Sequence, residues 1–352
     1  MLFKIQCCQP SGWIHLSKGL GKCVEYASMG IDDSSYTRTA IIIIASFIPV
    51  TNPRDRRIIF MSIVKPITAK SLINPVKQPD TWFGLRYNMN LYRGCQHRCI
   101  YCDSRSLCYQ VEDFDHEILY KENAIEQIRK ELGHKRIKGT IGTGAMNDPY
   151  MPIEKKLQLT RQAMQAISDF HFPVHILTKS DLVLRDMDIL QQIKQQFALV
   201  SFTITAAEDS LSKIIEPYAS PTSKRFTAMN TLAKNGIQTG MLLMPLLPYI
   251  TDTRANVEPL IRQAVDNGAS FVLPSLGVTL RDRQRLYFYE KLEEHFPGLR
   301  EKYERRFGEQ YFAPANHIWR LEEWLNELCA KLNLSMKAPI YQPVQEEQMM
   351  LF

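Results

Sequence analysis

A chain of 352 residues that is 45% apolar has material for one large α/β domain, or two ordinary ones, around a real core. Its net charge of +6 permits an anionic partner such as nucleic acid without requiring one. The eight cysteines (7, 8, 23, 95, 99, 102, 108 and 329) are too uneven for the disulfide framework of a small secreted chain, so a reducing, cytoplasmic setting fits. The one long apolar run, Ala40 to Val50, is shorter than the roughly 20 residues of a membrane span and too far along for a secretory signal.

Residues 1–60 mix isolated cysteines, "DDSSYTRT", that apolar run and "NPRDRR", with no sustained period. They read as a poorly ordered extension, and Met61 is a candidate natural start; a genuine N-terminal segment is the equal alternative. Residues 61–84 form a lead-in. From 85 to 275, strand-like and helix-like segments alternate. The strands are "RYNMNLY", "IKGTIGTG", "PVHILTK", "ALVSFTIT", "IQTGMLLMP" and "ASFVLPS". Between them lie helical patterns in "HEILYKENAIEQIRKELG", "IEKKLQLTRQAMQAISDF", "DLVLRDMDILQQIKQQ", "SKRFTAMNTLAKNG" and "TRANVEPLIRQAVDNG", the last two stopped by Gly236 and Gly268. No hairpin signal separates the strands, so the expectation is an α/β fold with a parallel sheet. Six units fall short of a closed eight-stranded barrel, which leaves a partial (β/α)6 TIM-like barrel. Residues 276–340 read as a helical C-terminal extension and 341–352 as a loose tail.

The first strand is expected to end near Tyr92, so "GCQHRCIYC" falls in the loop at its C-terminal end, the edge that carries active sites in parallel α/β folds. Cys95, Cys99 and Cys102 are spaced C-x3-C-x2-C, and grouped thiolates select zinc, copper(I) or iron–sulfur. Structural zinc wants four protein ligands, which would recruit Cys108. Three thiolates on a four-iron cluster leave one iron open for chemistry.

That spacing, with an aromatic before the last cysteine, resembles the signature of the radical S-adenosylmethionine (radical SAM) enzymes. The resemblance implies a [4Fe–4S] cluster on the three cysteines and S-adenosylmethionine chelating the fourth iron. Reduction would cleave that cofactor to methionine and a 5′-deoxyadenosyl radical that abstracts hydrogen. Over residues 85–275 the blocks "NMNLYRGCQHRCIYCDSRS", "NDPYMPIEKKLQLTR", "LTKSDLVLRDMDIL", "SFTITAAEDSLSKIIEPYASPTSKRF" and "AKNGIQTGMLLMPLLPYITD" are similar, in order, to the spore photoproduct lyase-like branch. The resemblance also implies an electron donor such as flavodoxin or ferredoxin, no membrane, and an unidentified substrate with nucleic acid, RNA or peptide as candidates. The rival from another class is a non-catalytic zinc or iron–sulfur nucleic-acid-binding module.

Cofactor-binding roles are implied residue by residue, each beside a plainer reading. Lys179 matches a lysine that contacts the cofactor carboxylate, or is a solvated lysine at a helix start. Thr203 matches a hydroxyl that touches the cofactor, or is a buried strand threonine. Asn147 and Asp148 can accept from the cofactor ammonium, or form a turn with Pro149. Glu216 and Arg225 orient the cofactor, or simply pair. Tyr101 lies near the adenine, or packs in the core. Cys108 is expected to be a packed thiol, Cys329 to lie in the core of a helix, and the basic aromatic run 281–307 to be a solvated amphipathic helix. The branch places a hydrogen-donating cysteine near the end of the second strand, yet Gly139 to Tyr150 contains none.

Overall fold

The structure, a computed structural model, describes residues 62–77, 80–114 and 116–343. The expectations for residues 1–60, for Met61 as a start and for the tail beyond 343 lie outside the described residues.

The strands are β1 (Ile63–Ile67), β2 (Asn74–Pro75), β3 (Leu85–Met89), β4 (Tyr92–Arg93), β5 (Glu117–Lys121), β6 (Thr140–Thr143), β7 (Val174–Thr178), β8 (Ala198–Thr203), β9 (Gln238–Leu243), β10 (Val272–Pro274), β11 (Gly277–Thr279) and β12 (Phe312–Pro314). The helices are α1 (Ala124–His134), α2 (Glu154–Leu157), α3 (Leu159–Asp169), α4 (Met187–Ile193), α5 (Asp209–Ile215), α6 (Thr222–Lys234), α7 (Arg254–Asp266), α8 (Asp282–His295), α9 (Leu299–Phe307) and α10 (Ile318–Lys331).

The central sheet has the order β10-β9-β8-β7-β6-β3-β2. Its six strands from β3 to β10 are parallel to their neighbours, and β2 is antiparallel to β3. The sheet does not close, and the partial barrel of the sequence reading is what forms. Strands covered on both faces are near-continuous apolar runs, and β8, "ALVSFT", is buried at all six positions with only Ser201 and Thr203 polar. Val200, Phe202, Met241 and Leu243 are fully buried, and each such side chain stabilises by roughly 1.5–3 kcal/mol. Helices α6 and α7 end at Gly236 (φ +73°) and Gly268 (φ +82°), where the left-handed backbone favours glycine.

Four local expectations are corrected. The pattern at 116–133 splits, because Glu117–Lys121 pairs in parallel with β1 as a strand and the helix starts only at Ala124. A pairing partner more than fifty residues away overrides local periodicity. The first barrel strand stops at Met89, and Tyr92–Arg93 crosses to pair antiparallel with β5. Gln158 (φ +50°) breaks the next helical run into α2 and α3. Within the extension, β11 and β12 pair antiparallel across a long excursion that holds α8 and α9.

The extension is not merely solvated. Phe288, Leu292, Tyr303 and Phe307 of α8 and α9 are buried with Ile100 and Tyr101 of the cysteine loop in one apolar cluster. Cys329 of α10 is buried in the main core, as expected. Among the described residues no helix is long and apolar enough to cross a membrane.

Candidate functional site

A cavity of about 320 Å³ opens at the C-terminal ends of the parallel strands. Cys95, Cys99 and Cys102 all line it, together with Tyr101, Asn147, Asp148, Lys179 and Thr203. The loop bearing the thiols is anchored at both flanks. Gly94, at φ +79°, turns the chain where a Cβ would fall 2.5 Å from the Glu117 carbonyl oxygen. The Gln96 side chain accepts from the Ile153 amide (2.7 Å), and the Ile100 amide donates to the Ile215 carbonyl (2.9 Å).

Asp148 holds the strand ends together. Its carboxylate accepts from Thr178 Oγ1 (2.8 Å), the Lys179 amide (2.6 Å) and the Tyr150 amide (2.9 Å). Burial would raise this carboxyl, but the neighbouring His97 and these donors outweigh it and hold the group at about 2. Asn147 Nδ2 donates to the Tyr92 carbonyl (2.7 Å), which ties the β6 end to β4. Gly144 (φ +100°) lets the β6 loop press against β7, for a Cβ there would lie 2.1 Å from the Leu177 carbonyl oxygen.

Glu216 and Arg225 stand behind the cavity wall. Both are almost fully buried, 2.5 Å apart, and Glu216 also accepts from the Tyr101 hydroxyl. Arg225 donates in addition to the carbonyls of Ser220 (2.6 Å) and Thr203 (2.8 Å). The pair therefore fixes Tyr101 and the end of β8. The Lys179 ammonium lies 5.9 Å from the Tyr101 ring centroid. Burial would lower it, but the neighbouring Cys99, neutral as a bare thiol and negative only when ionised, and the charged carboxylates of Glu216 and Asp148 hold it above its usual value.

The thiols suit an inorganic cluster. Burial pushes all three up, Cys95 to about 12 with help from the Asp148 charge, so as bare thiols they are protonated and apolar. Among the described residues no three His, Cys, Asp or Glu side chains converge tightly enough for a single ion. A [4Fe–4S] cluster takes one thiolate per iron, and the three thiols line one cavity, as that donor set requires. Cys108 is not gathered with them. Contrary to expectation it is exposed, in a 3-10 turn, where its sulfur accepts from Arg281 Nη1 (3.3 Å) and lies 3.3 Å from Ser106 Oγ.

Sequence reasoning missed several lining residues. His97 lies inside the cysteine motif, with Nδ1 3.3 Å from Asp148 Oδ2. Trp82 and Phe312 come from the lead-in and the extension, and reach the cavity only through tertiary packing.

The family model described as the Radical SAM superfamily matches residues 89–257. An uncharacterised protein of Methanocaldococcus jannaschii is 39% identical over 194 residues, which cover 54% of this chain and 70% of that one. The chain belongs to the radical SAM superfamily. An uncharacterised protein of Mycobacterium tuberculosis is 26% identical over 276 residues, 76% of this chain and 81% of that one. A solved structure of spore photoproduct lyase complexed with dinucleoside spore photoproduct superposes with a TM-score of 0.55 at 15% identity, covering 76% of this chain and 79% of that one. That likeness shows a shared fold. Radical SAM membership implies a [4Fe–4S] cluster and S-adenosylmethionine, and the three thiols in one cavity fit that requirement.

Proposed function

We propose that this radical SAM protein is an enzyme whose Cys95, Cys99 and Cys102 hold a [4Fe–4S] cluster beside bound S-adenosylmethionine. When bound, that pair supplies a 5′-deoxyadenosyl radical by one-electron reductive cleavage, with a flavodoxin or ferredoxin as the class of donor. The observation that carries the reading is that all three thiols of the C-x3-C-x2-C loop line one cavity at the C-terminal edge of the sheet.

The chain's own residues then divide the work. The Lys179 ammonium, at the end of β7 in the cavity wall, receives the cofactor carboxylate by charge. Tyr101 presents its ring to the cavity while Glu216 and Arg225 hold it from behind. Thr203 and Asn147 offer polar side chains to the remaining groups of the cofactor. Asp148, whose oxygens already accept three hydrogen bonds, keeps the β6 and β7 ends in register. Nucleic acid is the substrate class we favour, supported by the fold shared with a lyase solved with a dinucleoside photoproduct.

Anaerobic reconstitution with iron and sulfide tests this. The protein should turn brown with about four irons per chain. Cys95→Ala, Cys99→Ala and Cys102→Ala should each lose the cluster, while Cys108→Ala keeps it. A colourless protein that retains stoichiometric zinc would end the reading.

A further inference from the structure

Beside the main cavity, and sharing Ser104, Met146 and Asn147 with it, lies a second pocket of about 140 Å³. Arg93 and Lys121 both line it, and no carboxylate does among the described residues. The Arg93 guanidinium makes no ion pair or hydrogen bond among the described residues. The Lys121 ammonium donates to the Asn90 carbonyl (2.5 Å), a neutral partner. Burial, and then the Arg93 charge, push Lys121 below its usual value, which only Glu131 partly offsets. Two cations thus share one concavity with no counter-charge inside it.

Their placement is tied to the thiols. Arg93 pairs with Leu119 across the β4–β5 ladder, and Lys121 closes the same strand by donating its amide to the Leu91 carbonyl (3.1 Å). Only Gly94, whose turn is fixed against Glu117, separates Arg93 from Cys95. The partition between the two pockets is thin: Ser104 Oγ donates to the Met146 carbonyl (2.9 Å), and Met146 sulfur accepts from Asn90 Nδ2 (3.7 Å). A group held in the side pocket is therefore kept at a set offset from the cavity where the thiols converge.

We propose that this side pocket binds a phosphate group of the substrate, with Arg93 and Lys121 as its ligands. The inference rests on the proposed function and deepens it. A tetrahedral anion fits because arginine offers a planar fork of donors and lysine a compact charge, and both bonds are charge-assisted. An anion there also relieves the repulsion between the two cations. The phosphate can come from a nucleic-acid backbone or from a phosphorylated small molecule, and the two differ as diester and monoester.

Calorimetric titration of the reconstituted full chain at fixed ionic strength, with inorganic phosphate, thymidine monophosphate and a thymidine dinucleotide joined by one phosphodiester, tests this. At least one probe should bind, and Arg93→Ala and Lys121→Met should each weaken it about tenfold, the size expected for losing one hydrogen bond to a charged group. Arg93→Lys should fall between. Tighter binding of the dinucleotide assigns the phosphate to a nucleic-acid strand, and tighter binding of the monophosphate to a small molecule. Absence of binding by every probe, or affinities in both Arg93→Ala and Lys121→Met within twofold of the unsubstituted protein, overturns the inference. Assaying the unsubstituted protein for 5′-deoxyadenosine in parallel keeps the two readings apart. Cleavage without phosphate binding sinks this inference alone, and loss of cleavage sinks the proposed function.

Discussion

Arg225 is fully buried, yet its ion pair with Glu216 is a stable arrangement because the remaining hydrogen-bonding groups are also occupied. Removing two charges from water costs several kcal/mol per ion unless geometry and neighbours compensate. The carbonyls of Ser220 and Thr203 and the Tyr101 hydroxyl do so here. A different residue carries a pH signature. His175 of β7 is fully buried, with Nε2 2.8 Å from Ser201 Oγ, and burial lowers it to about 3 from 6.5. The unfolded chain therefore binds a proton that the folded chain refuses. Stability from this site is complete above pH 6.5 and erodes as pH falls toward 3, by ~1.4 kcal/mol per unit. Unfolding free energies from denaturant titrations at pH 7 and pH 5 should differ by ~2 kcal/mol more in the native protein than in His175→Gln. Equal slopes would contradict this. Among the described thiols, only the three of the cysteine motif line the cavity, and Ala145 and Met146 stand in its wall. Among the described residues no further thiol lines the cavity to return a hydrogen atom to a substrate radical. Reduced, reconstituted protein given photoproduct-containing DNA should give no multiple-turnover repair to thymine, and robust repair would refute that expectation.

The N-terminal end of α8 acts as a clamp on the segment that follows the thiols. Arg283 donates to the carbonyls of Arg105, Val111 and Glu112, the Asp282 carboxylate accepts from Ser106 Oγ (2.8 Å) and the Leu107 amide (3.2 Å), and Gln284 Nε2 reaches the Tyr101 carbonyl (3.2 Å). Arg283→Ala leaves three carbonyls without their charged donor, at ~1.5–3 kcal/mol for each hydrogen bond to a charge. Iron should then be lost to a chelator at least about tenfold faster than from the native protein. An unchanged rate would show that the clamp does not support the loop. The sequence carried the alternation of strands and helices clearly because β7, β8 and β9 are apolar runs and α6 and α7 stop at glycines. It did not carry β5, whose "EILYK" continues a helical pattern until β1 supplies a partner. Nor did it carry the clamp, since Arg283 and Val111 meet only after the extension folds back.

For the molecule as a whole, an open sheet of parallel strands leaves its C-terminal edge accessible, and the cysteine loop, the β6 and β7 ends and the β11–β12 pair enclose it. The thiols were legible from their spacing, while Lys179, Asp148 and Tyr101 were named through the resemblance; all line one cavity because each lies at the end of a strand or in the loop after one. His97, Trp82 and Phe312 were not legible, since periodicity does not report which loops converge. The side pocket was hidden for the same reason: Arg93 and Lys121 become neighbours only through the β4–β5 ladder. On the proposed function, one electron reaches S-adenosylmethionine beside the three thiols. The most direct measurement is chromatographic quantitation of 5′-deoxyadenosine after anaerobic, dithionite-reduced incubation of the reconstituted full chain with S-adenosylmethionine. 5′-Deoxyadenosine and methionine are expected in equal amounts, and neither from Cys99→Ala. A protein that carries its full iron complement and yields no 5′-deoxyadenosine under reduction would contradict the proposed function.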